Sequence, residues 1–484
     1  MKALLIQPFI SIPGSWIPYF PQEPLGLEYI AAAAAERGHS VGILDCIGQF
    51  WSQYTRLGDG RFHIGATPEQ TTHMIASWEP EVVGITLPFS NQVKPAVAIA
   101  RLTKQVNPKI TTVIGGSAAC AQPEKLLQEN PELDVVVTGE GEVTFAELLE
   151  ARPYHSIKGV AYRNGCAVLR SEPRAPIQNL DDIPFPSRLP LGPYSMSLFR
   201  GPVAARVRLF SSWLLYNRDW KAIRTTLAQP RAFAPRNHAV VLTARGCPFN
   251  CYYCAVHNVW RGYRRRSIDN LMWEIEQLYR DGVRTISFVD DNLPVPRLRE
   301  VCQGIIRLGL RVQLRAASGL FLYDGFDRET FALMKRAGFT DVYFGIESGN
   351  QEVLYRIIGK KIHLPKVREV ARLCREAGLT SGGYFMIGVP GETMETMQET
   401  IEFALSSGLD RLRLYTCQPL PGSRLFEDCV RNGWLAEDYT PDRALLFSSR
   451  SFIRTGEFSP EDVTRLAEAG KALFRRAGRL DQRG

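Results

Sequence analysis

Three cysteines, Cys247, Cys251 and Cys254, are the residues whose spacing most directly indicates chemistry. They lie in the stretch ARGCPFNCYYCAVHNVW, in which Tyr253 precedes the last of them. Thiols this close in sequence could form a disulfide staple, a zinc site that also uses His257, or the ligands of a metal cluster. These alternatives need different surroundings, so the rest of the sequence has to decide among them.

The composition argues against a disulfide scaffold. The chain has 484 residues, 45% of them hydrophobic, and the other seven of its ten cysteines are scattered singly. That length is enough for more than one domain with its own core. The sequence shows no signal peptide and no apolar run of the roughly 18 residues that a membrane span needs. We therefore expect a cytoplasmic protein, in which cysteines stay reduced.

The charge balance points away from nucleic acid. A net charge of +8 results from 58 basic and 50 acidic residues, and the basic residues are not concentrated on one element. Nucleic-acid binding usually requires such a concentration. We therefore expect a small-molecule partner and no nucleic acid.

Residues 1–150 alternate short β-rich runs with helix-like segments. Nearly continuous apolar strands separated by helices predict a parallel sheet that helices cover on both faces. We expect five strands in a doubly wound, Rossmann-like α/β domain. The β-rich runs are KALLI, SVGILD, EVVGITL, KITTVIGG and LDVVVTG.

Small and polar residues follow several of these strands, where such sheets bind their ligands. The candidate ligand-binding residues are Thr86, Gly115, Gly116, Ser117 and Glu140. Each glycine alone could simply form a tight turn, but together they would let backbone approach a bulky ligand. The first strand is followed by a long, proline-rich loop and not by G-x-G-x-x-G, so a dinucleotide is not indicated.

Residues 236–430 repeat a strand and helix rhythm six times. This pattern predicts a partial (β/α)6 barrel, with active-site groups at the carboxyl ends of its strands. The cysteine loop follows the first of these strands. Known zinc sites place a dozen or more residues between two ligand pairs, whereas one short loop can supply three thiolates to a [4Fe–4S] cluster and leave one iron without a protein ligand.

The C-x3-C-x2-C spacing with Tyr253 resembles the radical SAM signature, and the first domain resembles the cobalamin-binding domain of B12-dependent radical SAM enzymes. The stretches that carry the second likeness are PLGLEYIAAAAAERGHSVGILD, which contains Leu25 and Gly26, IGGSAA and DVVVTGEGEVTFAELL. The resemblance covers residues 1 to about 430. It implies a cobalamin-binding domain followed by a radical SAM barrel.

The resemblance also implies roles for single residues. Cys247, Cys251 and Cys254 would hold the cluster. The D-x-H-x-x-G motif, whose histidine would bind cobalt, is absent, so we expect no histidine on the lower face of the corrin. Residues at the strand ends would hold S-adenosylmethionine. These cofactor-binding residues are Tyr253, Asp290, Glu347, Ser348, Gly388 and Pro390, and Leu25, Gly26, Thr86, Gly115, Gly116, Ser117 and Glu140 would lie near cobalamin.

The implied activity is reductive cleavage of S-adenosylmethionine and transfer of a methyl group from cobalamin to an unactivated carbon of a small molecule such as a natural product or lipid. An external donor such as flavodoxin or ferredoxin would supply electrons. Ring closure or rearrangement with the same cofactors stays open, as does a non-catalytic cobalamin sensor. No single residue is assigned to the catalytic step itself.

The remaining segments carry weaker signals. Residues 151–235 read as a connector that starts with a hairpin, GVAYRNGCAVLR, turning at Asn164 and Gly165. Within it, residues 203–226 mix Arg with apolar side chains at helical spacing, which suits either a packed helix or contact with a membrane surface. We expect the extension 431–484 to pack against the open side of the barrel.

Overall fold

The computed structural model describes residues 1–13, 23–50, 53–58, 60–188, 238–316, 318–445 and 448–481. The chain divides into two compact units, Met1–Val240 and Val241–Gly484. The segment 203–226, for which membrane contact was considered, lies outside the described residues. Within the described part, every helix is too short or too polar to cross a membrane.

Ten strands lie in the described part of the first unit. They are β1 (Lys2–Gln7), β2 (Ile10–Pro13), β3 (Ser40–Asp45), β4 (Tyr54–Arg56), β5 (Arg61–Ile64), β6 (Val82–Thr86), β7 (Thr111–Gly115), β8 (Val135–Val137), β9 (Val160–Asn164) and β10 (Ala167–Arg170). A seven-stranded sheet has the order β10-β9-β8-β7-β6-β1-β3, and β2, β5 and β4 form a separate three-stranded sheet.

The five predicted strands of the first unit are confirmed as β1, β3, β6, β7 and β8, which pair in parallel. Alternate residues of β1 enter two different cores, since Leu4 and Ile6 pack on one face and Ala3 and Leu5 on the other. Burial on both faces explains the continuous apolar runs. The hairpin β9-β10 pairs antiparallel with β8 and extends the same sheet.

The described residues of this unit also form six α-helices. They are α1 (Leu25–Glu36), α2 (Pro68–Trp78), α3 (Val93–Val106), α4 (Ser117–Ala121), α5 (Pro123–Glu129) and α6 (Gly141–Leu149). Helix α2 begins with a capping box, in which the side chains of Thr67 and Gln70 satisfy each other's backbone N–H groups. Pro68 at the first helical position fits the same signal.

The described residues from His238 onward form eight strands. They are β11 (His238–Val241), β12 (Ala244–Arg245), β13 (Arg264–Arg265), β14 (Thr285–Phe288), β15 (Gln313–Ala316), β16 (Asp341–Glu347), β17 (Thr380–Ile387) and β18 (Arg411–Thr416). β11, β14 and β15 form one sheet and β16, β17 and β18 another. Parallel bridges, Leu314 with Phe339 and Leu320 with Phe344, join the two. These six strands confirm the partial (β/α)6 barrel.

Seven α-helices and a π-helix lie in the part of the second unit that the structure describes. They are α7 (Ile268–Arg280), α8 (Val295–Arg307), α9 (Arg328–Ala337), the π-helix Val353–Ile358, α10 (Leu364–Glu376), α11 (Met394–Ser406), α12 (Arg424–Arg431) and α13 (Pro460–Arg476). Phe385 of β17 packs edge-on against Phe403 of α11. The neighbouring Tyr384 therefore projects from the opposite, inner face of the barrel sheet.

The segment after α13 lies along the edge strand β18. The Leu412 N–H donates to the Arg479 carbonyl at 2.8 Å, and the Asp481 N–H donates to the Leu412 carbonyl at 3.1 Å. Asp481 turns its carboxylate to the inner face, where it accepts hydrogen bonds from Arg413 at 2.8 and 3.0 Å and from the Tyr343 hydroxyl. The C-terminal part thus completes one wall of the second unit.

Candidate active site

Tyr252 fixes the cysteine loop at the carboxyl end of the first barrel strand. Its N–H donates to the Ile358 carbonyl at 3.1 Å, and its carbonyl accepts from the Leu425 N–H at 3.1 Å. Its hydroxyl donates to Asp428 Oδ2 at 3.0 Å. The loop is therefore held by the segments that follow β16 and β18.

The three predicted cluster ligands share one neighbourhood. All are partly buried and free of disulfides. Burial raises the pKa of the Cys254 thiol to about 12, and negative charge on Cys251 and Cys247 adds to that rise. Three thiolates on one short loop are a donor set that suits a [4Fe–4S] cluster with one open iron.

A single zinc ion suits these residues less well. Tetrahedral zinc with Zn–S bonds of about 2.3 Å needs sulfurs about 3.8 Å apart, and the described residues contain no group of three or more His, Cys, Asp or Glu arranged around one ion. His257 donates from Nε2 to the Phe249 carbonyl at 2.8 Å, so this nitrogen is not free to bind a metal. A cluster distributes its thiolates over several irons and tolerates a wider spacing.

Tyr253 connects the cysteine loop with the end of β16. Its hydroxyl donates to the Glu347 carboxylate, and burial together with this negative charge raises the pKa of Tyr253 well above its usual value. Glu347 Oε1 accepts from Lys360 Nζ at 2.9 Å. The structure therefore brings together two of the predicted cofactor-binding residues and adds Lys360, for which the sequence offered no motif.

The backbone at Glu347 is strained. Its φ of 74° lies in the left-handed region, which a side-chain-bearing residue rarely adopts. The pairing of β16 with β17 also shifts register between Gly345 and Glu347. Strain of this kind concentrates at functional sites because the surroundings must hold it in place. This backbone conformation directs the Glu347 carboxylate toward Tyr253 of the cysteine loop.

Two other predicted residues form hydrogen bonds within the fold. Asp290 is 3% exposed, and its Oδ1 accepts from the Thr243 N–H, the Thr243 hydroxyl and the Ala244 N–H at 2.9, 2.8 and 2.6 Å. It therefore anchors the backbone that leads into the cysteine loop. Ser348 is fully buried and its hydroxyl lies 3.1 Å from that of Thr400 on α11. Their cofactor contacts stay predictions.

The turn after β17 is buried as well. Gly388 has a φ of 85°, and a Cβ there would come within 2.7 Å of the Val463 side chain on α13. Pro390 is buried and forms a backbone bridge with Glu392. Glu392 was not predicted, although it stands in the same VPGET stretch. It is fully buried, its Oε2 accepts from the Val389 N–H at 2.8 Å, and burial raises its pKa to about 8.

In the first unit, four predicted residues meet at the carboxyl edge of the parallel sheet. Thr86 and Gly115 pair across β6 and β7 and are partly exposed. Gly116 has a φ of 121°, and a Cβ there would lie 2.6 Å from the Leu87 carbonyl oxygen. Ser117 begins α4. Glycine is therefore required where the loops after β6 and β7 touch, and the edge is left without bulky side chains.

The other predicted cofactor-binding residues of this unit differ in how exposed they are. Gly26 is exposed, and a Cβ there would meet no atom within 4 Å. Leu25 is 6% exposed and belongs to the packed interior. Glu140 is 5% exposed, and its Oε2 accepts from the Ile177 N–H at 2.6 Å. Gly26 alone of these three offers open space to a ligand.

Phe89 is a residue that sequence reasoning missed. It follows β6 at the point where the strand order reverses between β1 and β6, which is where such sheets bind ligands. Its side chain is 48% exposed although it is aromatic. Two histidines of this unit form other contacts, since His63 Nε2 lies 3.0 Å from the Ala66 carbonyl and His39 Nδ1 lies 3.2 Å from the N-terminal amine. Open backbone and an exposed ring fit a flat, bulky ligand such as cobalamin.

Comparisons with known proteins agree with this architecture. Residues 241–404 match the model of the radical SAM superfamily, and residues 18–149 match that of the B12 binding domain. The chain is similar to a solved radical SAM methyltransferase, TsrM from Kitasatospora setae, with a TM-score of 0.65 and 18% identity over 89% of this chain and 75% of that one. This likeness supports the fold.

Sequence relatives carry the assignment further. An uncharacterised methyltransferase of Pyrococcus horikoshii is 30% identical over 448 residues, which cover 90% of this chain and 84% of the relative. The cytidylyl-2-hydroxyethylphosphonate methyltransferase of Streptomyces wedmorensis is 28% identical over 455 residues, covering 90% and 82%. The chain therefore belongs to the cobalamin-dependent radical SAM methyltransferase family, whose cofactors are a [4Fe–4S] cluster, S-adenosylmethionine and cobalamin.

Proposed function

We propose that this chain transfers a methyl group to an unactivated carbon of a small molecule, such as a natural product or a lipid, and that Cys247, Cys251 and Cys254 hold its cluster. The observation that carries the proposal is that the cysteine loop, which Tyr252 ties to Ile358, lies beside the pair of Glu347 and Lys360 at the carboxyl end of β16. When bound, the cofactors supply the electron and the methyl group that no amino-acid side chain provides.

The chain's own residues hold and orient these groups. Tyr252 ties the cysteine loop to the neighbouring segments, and Asp290 fixes the backbone that enters it. Glu347, paired with Lys360 at 2.9 Å, presents a carboxylate that can accept from a cationic or hydroxyl group of S-adenosylmethionine. In the first unit, Gly26 and Gly115 leave room for cobalamin, and the exposed ring of Phe89 offers a flat surface to it. A low-potential donor such as flavodoxin or ferredoxin would reduce the cluster in a compartment that keeps thiols reduced, such as the cytoplasm.

The test is anaerobic reconstitution with iron, sulfide and cobalamin, followed by measurement of bound iron and of 5′-deoxyadenosine release. We expect Cys254→Ala to lose most of the iron and at least tenfold of the product. Cys166→Ala, which changes an exposed cysteine in the β9-β10 hairpin, is the matched control and should keep both. Retention of both by Cys254→Ala would contradict the cluster assignment.

Product analysis separates methylation from ring closure or rearrangement, which remains the alternative activity. S-adenosylmethionine with a labelled methyl group should place its label in the product of a methyltransferase. A cyclase or rearrangement enzyme would release an unlabelled product from the same cofactors. A protein that binds cobalamin without iron would instead match a sensor.

A further inference from the structure

Lys360 is a buried cation with an unusual set of neighbours. Its side chain is 7% exposed. Its Nζ donates to the Gly345 carbonyl at 2.6 Å and to Glu347 Oε1 at 2.9 Å, and it lies 5.1 Å from the centre of the Phe321 ring. Removing an ammonium group from water is costly even when it is paired. A neutral residue would avoid this cost, which suggests that the charge has a use.

The surroundings of Lys360 lead directly to the cysteine loop. Phe321 stacks on Phe249 of that loop, with ring centres 4.1 Å apart and planes 13° from parallel. Ile358, two residues before Lys360, accepts the backbone hydrogen bond of Tyr252 at 3.1 Å. The cation is thus linked to the loop through an aromatic stack and through the backbone.

Local structure fixes where the ammonium group points. The chain forms a π-helix over Val353–Ile358, and Gly359 follows in the left-handed region with a φ of 77°. Such wide turns are rare in proteins, and many of those that occur lie at functional sites. The Lys360 N–H donates to the Leu354 carbonyl at 2.8 Å. A Cβ at Gly345 would lie 2.9 Å from Nζ, so the missing side chain leaves room for the cation.

The charge of Lys360 lies close to the loop that carries the thiols. Its Nζ is 5.1 Å from the centre of the Phe321 ring, and Phe321 stacks on Phe249, which stands between Cys247 and Cys251 in the sequence. A cluster becomes more negative when it takes one electron from an external donor. A fixed positive charge nearby favours that reduced form, and the charge around a cluster is one of the factors that set its potential.

We propose that Lys360 is a positioning residue that raises the reduction potential of the cluster and that Glu347, as its counter-charge, lowers it. The two side chains then act as a matched pair, with opposite effects on how easily the external donor reduces the cluster. This inference rests on the assignment of the cluster to the three cysteines.

The test is an anaerobic titration of the reconstituted cluster with dithionite and redox mediators, without S-adenosylmethionine, in which the EPR signal reports the reduced fraction. For Lys360→Met we expect about a tenfold lower ratio of reduced to oxidised cluster at a fixed potential, which for one electron is a midpoint lower by about 59 mV. Lys360→Arg should stay near the wild type. Glu347→Gln should shift the midpoint upward. Lys361→Met, at the exposed neighbouring position, is the matched control.

Bound iron and sulfide in the wild type test the cluster assignment separately from this inference. With iron intact, equal midpoints in the wild type, Lys360→Met and Glu347→Gln would overturn the proposal. Equal shifts for Lys360→Met and Lys360→Arg would do the same, because they would reflect lost packing and not lost charge. If Lys360→Met fails to bind iron, an unchanged or lowered midpoint in Glu347→Gln is sufficient to reject it.

Discussion

Glu392 is a single buried carboxyl group that can make the stability of the protein depend on pH. Its side chain is fully buried, its Oε1 has no hydrogen-bond partner among the described residues, and burial raises its pKa to about 8. Its neighbour Cys417 is also fully buried. At neutral pH the folded protein therefore holds Glu392 protonated, whereas the unfolded chain ionises it.

This difference predicts a pH dependence of stability. Between the usual glutamate pKa of about 4.3 and the folded value near 8, unfolding releases a proton, so the free energy of unfolding should fall by about 1.4 kcal/mol per pH unit from this group. Glu392→Gln cannot ionise and should lose that decline. Urea unfolding from pH 5 to 8 measures it, with Glu395→Gln at an exposed position as the control. Parallel wild-type and Glu392→Gln profiles would refute the prediction.

At the scale of elements, the loops after β6 and β7 decide the shape of the sheet edge. The Leu87 N–H donates to the Gly115 carbonyl at 2.7 Å, and the Leu87 carbonyl accepts from the Ala118 N–H at 3.2 Å. These bonds draw the two loops together, so that a glycine at 116 is the residue that fits between them. The edge proposed for cobalamin thus depends on a backbone contact.

Gly116→Ala should damage this contact. A methyl group would lie 2.6 Å from the Leu87 oxygen, and a φ of 121° is unfavourable for alanine. We expect a loss of about 1–3 kcal/mol in the free energy of unfolding, together with weaker cobalamin binding measured by absorbance titration. Gly58→Ala, at a glycine with open space around it, should change neither quantity. Equal stability and equal cobalamin binding in the two variants would show that the contact at Gly116 determines neither quantity.

The elements show where sequence reasoning succeeds. Continuous apolar runs were sufficient to place the five parallel strands of the first unit and the six barrel strands. The strand and helix rhythm predicts a helix between the second and third barrel strands, which is α8 (Val295–Arg307), and proline is tolerated in its first turn. The small sheet of β2, β4 and β5 was missed, because β2 lies in the stretch after β1 that suggested only a proline-rich loop.

The site was less readable from sequence than the fold. The cysteine spacing places three thiols on one short loop, and their role as cluster ligands stays a prediction, since the described residues contain no group of three or more His, Cys, Asp or Glu arranged around one metal ion. Lys360 and Glu347 are thirteen positions apart, and a π-helix decides that they meet. No periodic pattern encodes such a turn. Asp290 and Ser348 were correctly placed at strand ends, but packing turned their side chains toward Thr243 and Thr400.

At the scale of the whole chain, the second unit depends on a pair formed between distant segments. Arg413 on β18 is 13% exposed and Asp481 is 4% exposed, with 2.8 Å between Nη2 and Oδ2. The guanidinium group also lies over the rings of Tyr343 and Tyr384, at 5.1 and 5.3 Å. The C-terminal segment therefore supplies the counter-charge for a cation on the inner face of the barrel.

Asp481→Asn should consequently destabilise the second unit. It leaves a buried guanidinium group without its carboxylate, which typically costs about 3–5 kcal/mol. Asp438→Asn removes a carboxylate from exposed pairs with Arg443 and Arg450 and should cost about 1 kcal/mol or less. Chemical denaturation followed by fluorescence measures both. Losses of similar size would mean that Arg413 is stabilised without Asp481.

The same contact has a consequence for the order of events during biosynthesis. Tyr343 and Asp481, joined through their side chains, are separated by 138 positions. At about 5–20 residues per second, a ribosome needs roughly 7–28 s to make the intervening stretch. For the last 68 of these positions the nascent barrel carries Arg413 beside aromatic rings and without its acidic partner. The edge strand β18 of the second unit therefore lacks its C-terminal neighbour until the last residues have been synthesised.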